Sequence, residues 1–348
     1  MIGKIIWRVQ KRMVVLFLLS ACISIYEPEV RELIPRVVID GSINDLPGPY
    51  EVRIYSTASS SNVRFFPNVF PAVDEVNISD DEGNVAVLQN AGNGFYRTNP
   101  DDIQGMPGRT YTLYVRLADG TEITSKPETL PNVPEIDDLI VEYEELPVGS
   151  STRGQFKVYA DLQDSPDPGE FYRWTWKHYS FKEFCRVVLI RFVQPCCEPC
   201  WDIEFCASCI TLASDRFFNG QRVQQFLLDV PYNSVEPYYL LVEQQAITED
   251  AYNFWRVVDN QINKVGSVFD NTPASVPGNL VNLTNADNEI LGLFSVTGLR
   301  RRVFYVLRNN IPQAPLTSVP IDYDISNTCA ACSETSTTTS IRPEGWLD

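Results

Sequence analysis

Apolar and polar residues alternate along Arg109 to Leu117, so that Tyr111, Leu113, Val115 and Leu117 fall on one face. A period of two fits a half-buried strand and not a helix. Asp119-Gly120 follows. Both positions accept positive φ, so a two-residue hairpin turn and a return strand over Thr121–Ser125 are expected. The pattern recurs upstream. Arg36 to Gly41 opens the series, and Val52 and Ile54 alternate with polar neighbours. Val76 to Ile78 leads into the turn Asp80-Asp81-Glu82-Gly83-Asn84, with Val85 to Leu88 as its partner. Short strands at this spacing, with no long helix, predict an immunoglobulin-like β-sandwich over residues 35–128.

Pro127, Pro131 and Pro134 then mark a seam, because each fixes φ and removes a donor. A second β-sandwich domain is expected over 129–332, making the fold class mainly β. Phe156 to Ala160, Phe226 to Val230, Tyr238 to Val242, Asn279 to Leu283, Glu289 to Val296 and Val303 to Leu307 read as strands. Asp161 to Glu170 reads as an acidic loop. One amphipathic helix, 249–265, interrupts the strands. Thr248 can cap it, Glu249 and Asp250 suit its first turn, and Ala251, Phe254, Trp255, Val258 and Ile262 repeat at helical spacing. Gly266 supplies its stop. The Ser/Thr-rich end, 333–348, is expected to be flexible.

The N-terminus carries an address. Lys4, Arg8, Lys11 and Arg12 precede a short apolar run, Met13 to Leu19, and then Leu19-Ser20-Ala21-Cys22. The run is too short to span a bilayer, which needs about 20 apolar residues. Leu-Ser-Ala-Cys resembles the bacterial lipobox, which implies that 1–21 is a removable signal peptide and that Cys22 carries the acyl chains. Residues 22–34 then form a tether. The formal net charge is −17, and the removed segment would take four basic residues with it. So acidic a surface repels phosphate backbones, which excludes nucleic acid as a partner. The membrane is met through lipid alone.

Nine cysteines remain to be placed. With Cys22 lipidated, Cys185, Cys196, Cys197, Cys200, Cys206, Cys209, Cys329 and Cys332 are disulfide candidates, as suits an exported chain. Their connectivity is open. Cys197-Glu198-Pro199-Cys200 has the spacing of a thiol–disulfide oxidoreductase pair, but Trp201 to Phe205 alternates as a strand, and no helix follows to lower a thiol pKa. Cys197-x₂-Cys200 with Cys206-x₂-Cys209 could hold zinc, but only five residues separate the pairs. Disulfides are the expectation, with no metal and no cofactor.

Ala251-Tyr252-Asn253-Phe254-Trp255, Gly266-Ser267-Val268-Phe269-Asp270, Pro277-Gly278-Asn279-Leu280 and Ile290-Leu291-Gly292-Leu293-Phe294-Ser295 follow one another in order. With Val37 to Gly41, Gly94-Phe95-Tyr96, Cys200-Trp201 and Cys329-Ala330-Ala331-Cys332, this order resembles the Bacteroidetes lipoproteins of domain of unknown function 4249. The resemblance implies an outer-membrane lipoprotein, often encoded beside a TonB-dependent channel, with no catalytic residues to carry over. Arg342-Pro343-Glu344-Gly345-Trp346 stands where members tend to have Pro-Asp-Phe-Trp.

Three constellations compete with that non-enzymatic expectation. Tyr172, Trp174, Trp176 and His178 share one strand face. Trp174 and Trp176 could form a platform for sugar rings, which makes a glycan-binding lipoprotein the alternative; core packing is the ordinary use of such a row. His178 is the sole histidine, so zincin motifs are excluded, and its aromatic neighbours suggest packing and not general-base chemistry. The acidic loops at Asp80–Glu82 and Asp161–Glu170 could offer oxygen ligands to Ca²⁺, although neither has EF-hand spacing.

Overall fold

Alternation becomes layers in the computed structural model, which describes residues 35–57, 69–181, 199–205, 209–263, 276–316 and 332–347, and the backbone of 187–189 and 192–194. The first strands are β1 (Val37–Asn44), β2 (Glu51–Ser56), β3 (Val73–Asp80), β4 (Val85–Val87), β5 (Gln89–Gly92), β6 (Phe95–Arg97), β7 (Thr110–Leu117), β8 (Glu122–Ser125) and β9 (Glu128–Thr129). After them come β10 (Asp138–Glu145), β11 (Gly154–Gln163), β12 (Phe171–Phe181), β13 (Val187–Leu189), β14 (Phe192–Gln194), β15 (Trp201–Phe205), β16 (Thr211–Ser214), β17 (Arg222–Pro231) and β18 (Tyr238–Ile247). The helix α1 (Glu249–Ile262) precedes β19 (Leu280–Asn282), β20 (Leu291–Val306) and β21 (Thr338–Thr339).

One long sheet runs β21-β15-β12-β18-β20-β1-β2-β6-β5, with β16 also on β12. Two smaller sheets pack against one of its faces. The sheet β19-β8-β7-β3-β4, with β9, covers one half over a core of Ile39, Ile43, Val52 and Ile54 against Val76, Ile78, Leu113, Val115 and Ile123. The sheet β10-β11-β17 covers the other half over Phe156, Val158, Tyr172, Trp174, Leu240 and Val242. Buried aliphatic and aromatic side chains of this size contribute about 1.5–3 kcal/mol each, so the two cores are what hold the layers together.

The sandwiches are therefore mainly β as expected, but the first is not closed at residue 128. Ile290, Phe294 and Val296 lie in its core, and β19 pairs with β8. The reason is β20. Its first half, Leu291–Thr297, runs parallel to β1, and its second half, Gly298–Val306, runs antiparallel to β18. One strand thus belongs to both halves of the long sheet. In the sequence pattern it falls into two strands, Glu289–Val296 and Val303–Leu307, with Arg300, Arg301 and Arg302 between them. Each of these arginines is paired: Arg300 with Asp45 at 2.7 Å, Arg301 with Glu243 at 2.8 Å, and Arg302 with the Ile136 carbonyl at 2.7 Å. Gly292 sits at φ 102°, and a Cβ there would overlap the Ile39 carbonyl of the neighbouring strand, a conformation and a spacing that glycine alone accepts.

Three local expectations are corrected. The β7–β8 hairpin has a three-residue loop, Ala118 to Gly120, in which Leu117 N–H donates to the Thr121 carbonyl and only Gly120 takes positive φ. Asp119 instead accepts from Thr121 N–H at 2.9 Å, as an Asx turn does. Asp161 to Gln163 belong to β11 and not to the following loop. The end of the chain is docked, not flexible. Thr338 and Thr339 pair with Asp202 and Trp201, and Trp346 packs on Trp201 and Tyr239 with ring centroids 6.1 and 5.4 Å away. Leu347 N–H donates to the Tyr305 hydroxyl at 2.7 Å.

The helix starts as its capping pattern dictates but ends at Ile262, with Asn263 as its C-cap, short of the expected 265; Gly266 lies outside the described residues. Thr248 Oγ1 accepts from Ala251 N–H, and Ala251 is buried with Phe171, Ile247 and Leu293 on the face of the long sheet that the two smaller sheets leave uncovered. No helix among the described residues is long and apolar enough to cross a membrane.

Candidate functional site

Successive residues of β12 point to opposite sides of the long sheet. Tyr172 and Trp174 enter the second core, with Trp176 packed against it. Trp174 is fully buried, and its indole N–H donates to Gln244 Oε1 at 2.9 Å; Gln244 in turn donates to the Pro134 carbonyl at 2.8 Å. The indole nitrogen of Trp176 is buried as well, with no partner among the described residues. Of the proposed Trp174/Trp176 platform, Trp174 is therefore interior packing, whereas Trp176 is only half-buried, and both residues also contribute to the lining of a cleft under α1. His178, from the same row, lies 3.6 Å from the Tyr238 ring in a parallel stack, and its Nδ1–H donates to the Tyr239 carbonyl at 2.7 Å. Burial pushes its pKa down, so the ring is held neutral.

The opposite side of β12 carries Arg173, Thr175 and Lys177. Together with Glu243 and Gln245 of β18 they line the sheet wall of a cleft of about 420 Å³ that α1 covers with Trp255, Val258 and Ile262. That volume suits a small molecule. The Arg173 guanidinium lies 4.0 Å from the Trp255 ring centre, a cation–π arrangement. Its Nη1 donates to Gln245 Oε1 at 3.1 Å, while its Nε is buried without a partner among the described residues. Burial lowers the Arg173 pKa, against the charges of Asp40 and Glu243, which raise it. Glu243 accepts from Thr175 Oγ1 at 3.3 Å and from Arg301 at 2.8 Å. Arg173 and Trp255 went unnoticed as partners in the sequence because they lie on different elements; an arginine inside the aromatic row 171–176 was the available signal.

Elsewhere the charged groups are tied into the fold. Arg109 reaches Asp80 at 2.8 Å and Asp81 at 2.6 Å, and also pairs with Glu82, so a guanidinium occupies the middle of the first acidic loop. Asp161 is gripped by Arg222. Asp164 and Glu170 both contact the Tyr172 hydroxyl, at 2.6 and 2.7 Å. Among the described residues no group of three or more acidic, cysteine or histidine side chains is placed to hold a metal ion.

Cys200 is bonded to Cys332, 132 residues away, and not to Cys197. Cys209 is disulfide-bonded as well. Each of the two Cys-x₂-Cys pairs has thus lost one candidate zinc ligand, and the oxidoreductase spacing at 197–200 is not an internal disulfide. Cys22, Cys185, Cys196, Cys197, Cys206 and Cys329 lie outside the described residues.

The cleft-forming helix and the strand that follows it lie in the stretch whose order resembles a known family, and the family model described as a domain of unknown function, number 4249, matches most of the chain, residues 23–301. The chain belongs to that family. As a member of domain of unknown function 4249 it brings most of the long sheet, the α1 cleft and the first sandwich within the matched span, whereas the last residues of β20, β21, Cys332 and the docked end lie beyond it. No curated protein matches the chain.

Proposed function

We propose that this chain is a lipid-anchored, non-enzymatic binding or accessory subunit at the outer membrane, working with a TonB-dependent channel. The anchor is Cys22, after the Leu19-Ser20-Ala21 that precedes it. The observation that carries the binding role is the cleft between α1 and the long sheet. It combines an apolar wall with a few polar groups, as ligand sites do. The ionisable groups buried elsewhere serve the fold: Glu128 is held by Asn279 at 3.0 Å, Asp161 by Arg222 and Asp164 by Tyr172. The β body, more acidic than the full chain's −17 once the four basic residues of 1–21 are removed, meets the bilayer through acyl chains.

Co-purification tests the partnership. Extraction of tagged chain from native membranes in mild detergent should bring down a channel protein in a fixed ratio. Repeated recovery of the chain alone, with its lipid intact, would refute the partnership.

A further inference from the structure

The cleft under α1 carries a more specific reading, which rests on its being a ligand site. Its ionisable lining is Arg173, Lys177 and Glu243. Glu243 is already neutralised by Arg301 at 2.8 Å. The described lining thus holds two cations against one acid that is already paired with Arg301, while Asp40, outside the lining, also acts on Arg173.

The cation at the floor is also under-satisfied. Arg173 has five N–H donors. One Nη donates to the neutral Gln245, and the buried Nε finds no partner among the described residues. A desolvated donor left unmatched is unfavourable by about 1–3 kcal/mol, and a carboxylate is the acceptor whose geometry fits a guanidinium fork. Burial, which already lowers the Arg173 pKa, means that an added anion would act where screening is weak. Directly over the guanidinium stands Trp255, and Val258 and Ile262 extend the same wall. These side chains offer a flat apolar surface beside the charge.

We propose that the cleft binds a small carboxylate carried on a flat apolar body, with Arg173 taking the carboxylate, Lys177 adding positive potential at the mouth, and Trp255 packing on the body. The site thus selects acids over their neutral isosteres.

The test is calorimetric titration of the full chain, purified in mild detergent, with 1-naphthoate and with the neutral 1-naphthamide. The acid should bind saturably and at least about tenfold tighter than the amide, since charge-assisted hydrogen bonds contribute roughly twice what neutral ones do. Arg173→Met should weaken naphthoate about tenfold and leave the amide nearly unchanged. Glu243→Gln keeps the side-chain shape, removes the one acid among the described lining residues, and should hold or tighten naphthoate binding. Trp255→Leu should weaken acid and amide alike. Equal binding of the two probes by the wild-type chain, no saturable binding of naphthoate, or a Glu243→Gln variant that loses the acid would each overturn the proposal, even if Arg173→Met fails to fold. A chain that binds naphthoate but retrieves no channel keeps this site and loses the partnership; the converse loses only the site.

Discussion

Tyr172 offers one hydroxyl proton to two carboxylates, Asp164 at 2.6 Å and Glu170 at 2.7 Å. Only one of them can accept it, so the second contact is comfortable only if Glu170 carries a proton of its own. Burial raises the Glu170 pKa above its ordinary 4.5, and the charges of Asp164, Asp215 and Asp167 push the same way, against the Tyr172 hydrogen bond. A carboxyl raised in the folded state contributes stability below its unfolded pKa and loses it as pH rises through the folded value. Glu170→Gln should therefore stabilise the chain slightly at pH 7, solvent screening at this half-exposed group keeping the gain small, and not at pH 4, as urea unfolding at the two pH values would show. A destabilised variant at pH 7 would mean that the ionised carboxylate is preferred. His178 works with the opposite sign. Its pKa is lowered, mainly by burial, so the folded chain keeps it neutral, and stability falls as pH drops below the ordinary 6.5 of the unfolded chain. As the sole histidine it gives a single ring resonance. Its NMR titration midpoint should lie below 6.5; a midpoint at or above that value contradicts the stacked, buried ring.

At the scale of elements, the Cys200–Cys332 bridge joins β15 to the segment that leads into β21. Cys332→Ser should lower stability by about 2–4 kcal/mol in unfolding experiments and expose Trp201 and Trp346 to quencher. Unchanged quenching would mean that the terminal segment holds its place by packing alone. The elements also show where sequence reading reaches. β7 and α1 were legible, because a strict period of two and a capped period of 3.6 are local signals. β20 was not, because its three arginines look like a surface loop until Asp45, Glu243 and the Ile136 carbonyl are brought to them by long-range pairing. The terminal segment misled for a similar reason. Ser/Thr richness reads as disorder, but Trp346 finds Trp201 and Tyr239 more than a hundred residues away. The cleft needed both kinds of information: the helix was visible in the sequence, but which strand residues it faces was not.

At the scale of the whole molecule, Arg36–Thr57 and Asn68–Asp348 form one compact unit, and β20 runs through both of its cores. The two halves should unfold together. Ile39 is fully buried in the first core, whereas Trp174, Trp176, Trp201, Trp255 and Trp346 all lie away from it. Ile39→Ala should cost about 2–5 kcal/mol and shift the tryptophan-fluorescence transition along with the circular-dichroism transition. A fluorescence midpoint left in place would show that the halves are independent. The proposed placement of this unit at a membrane depends on a single thiol, Cys22. Labelling cells with radioactive palmitate and comparing the wild-type chain with Cys22→Ala tests this most directly. Label should enter the wild-type chain and vanish from the variant, which should leave the membrane fraction. A wild-type chain that takes up no label, or a variant labelled equally, would contradict the account of a tethered binding subunit.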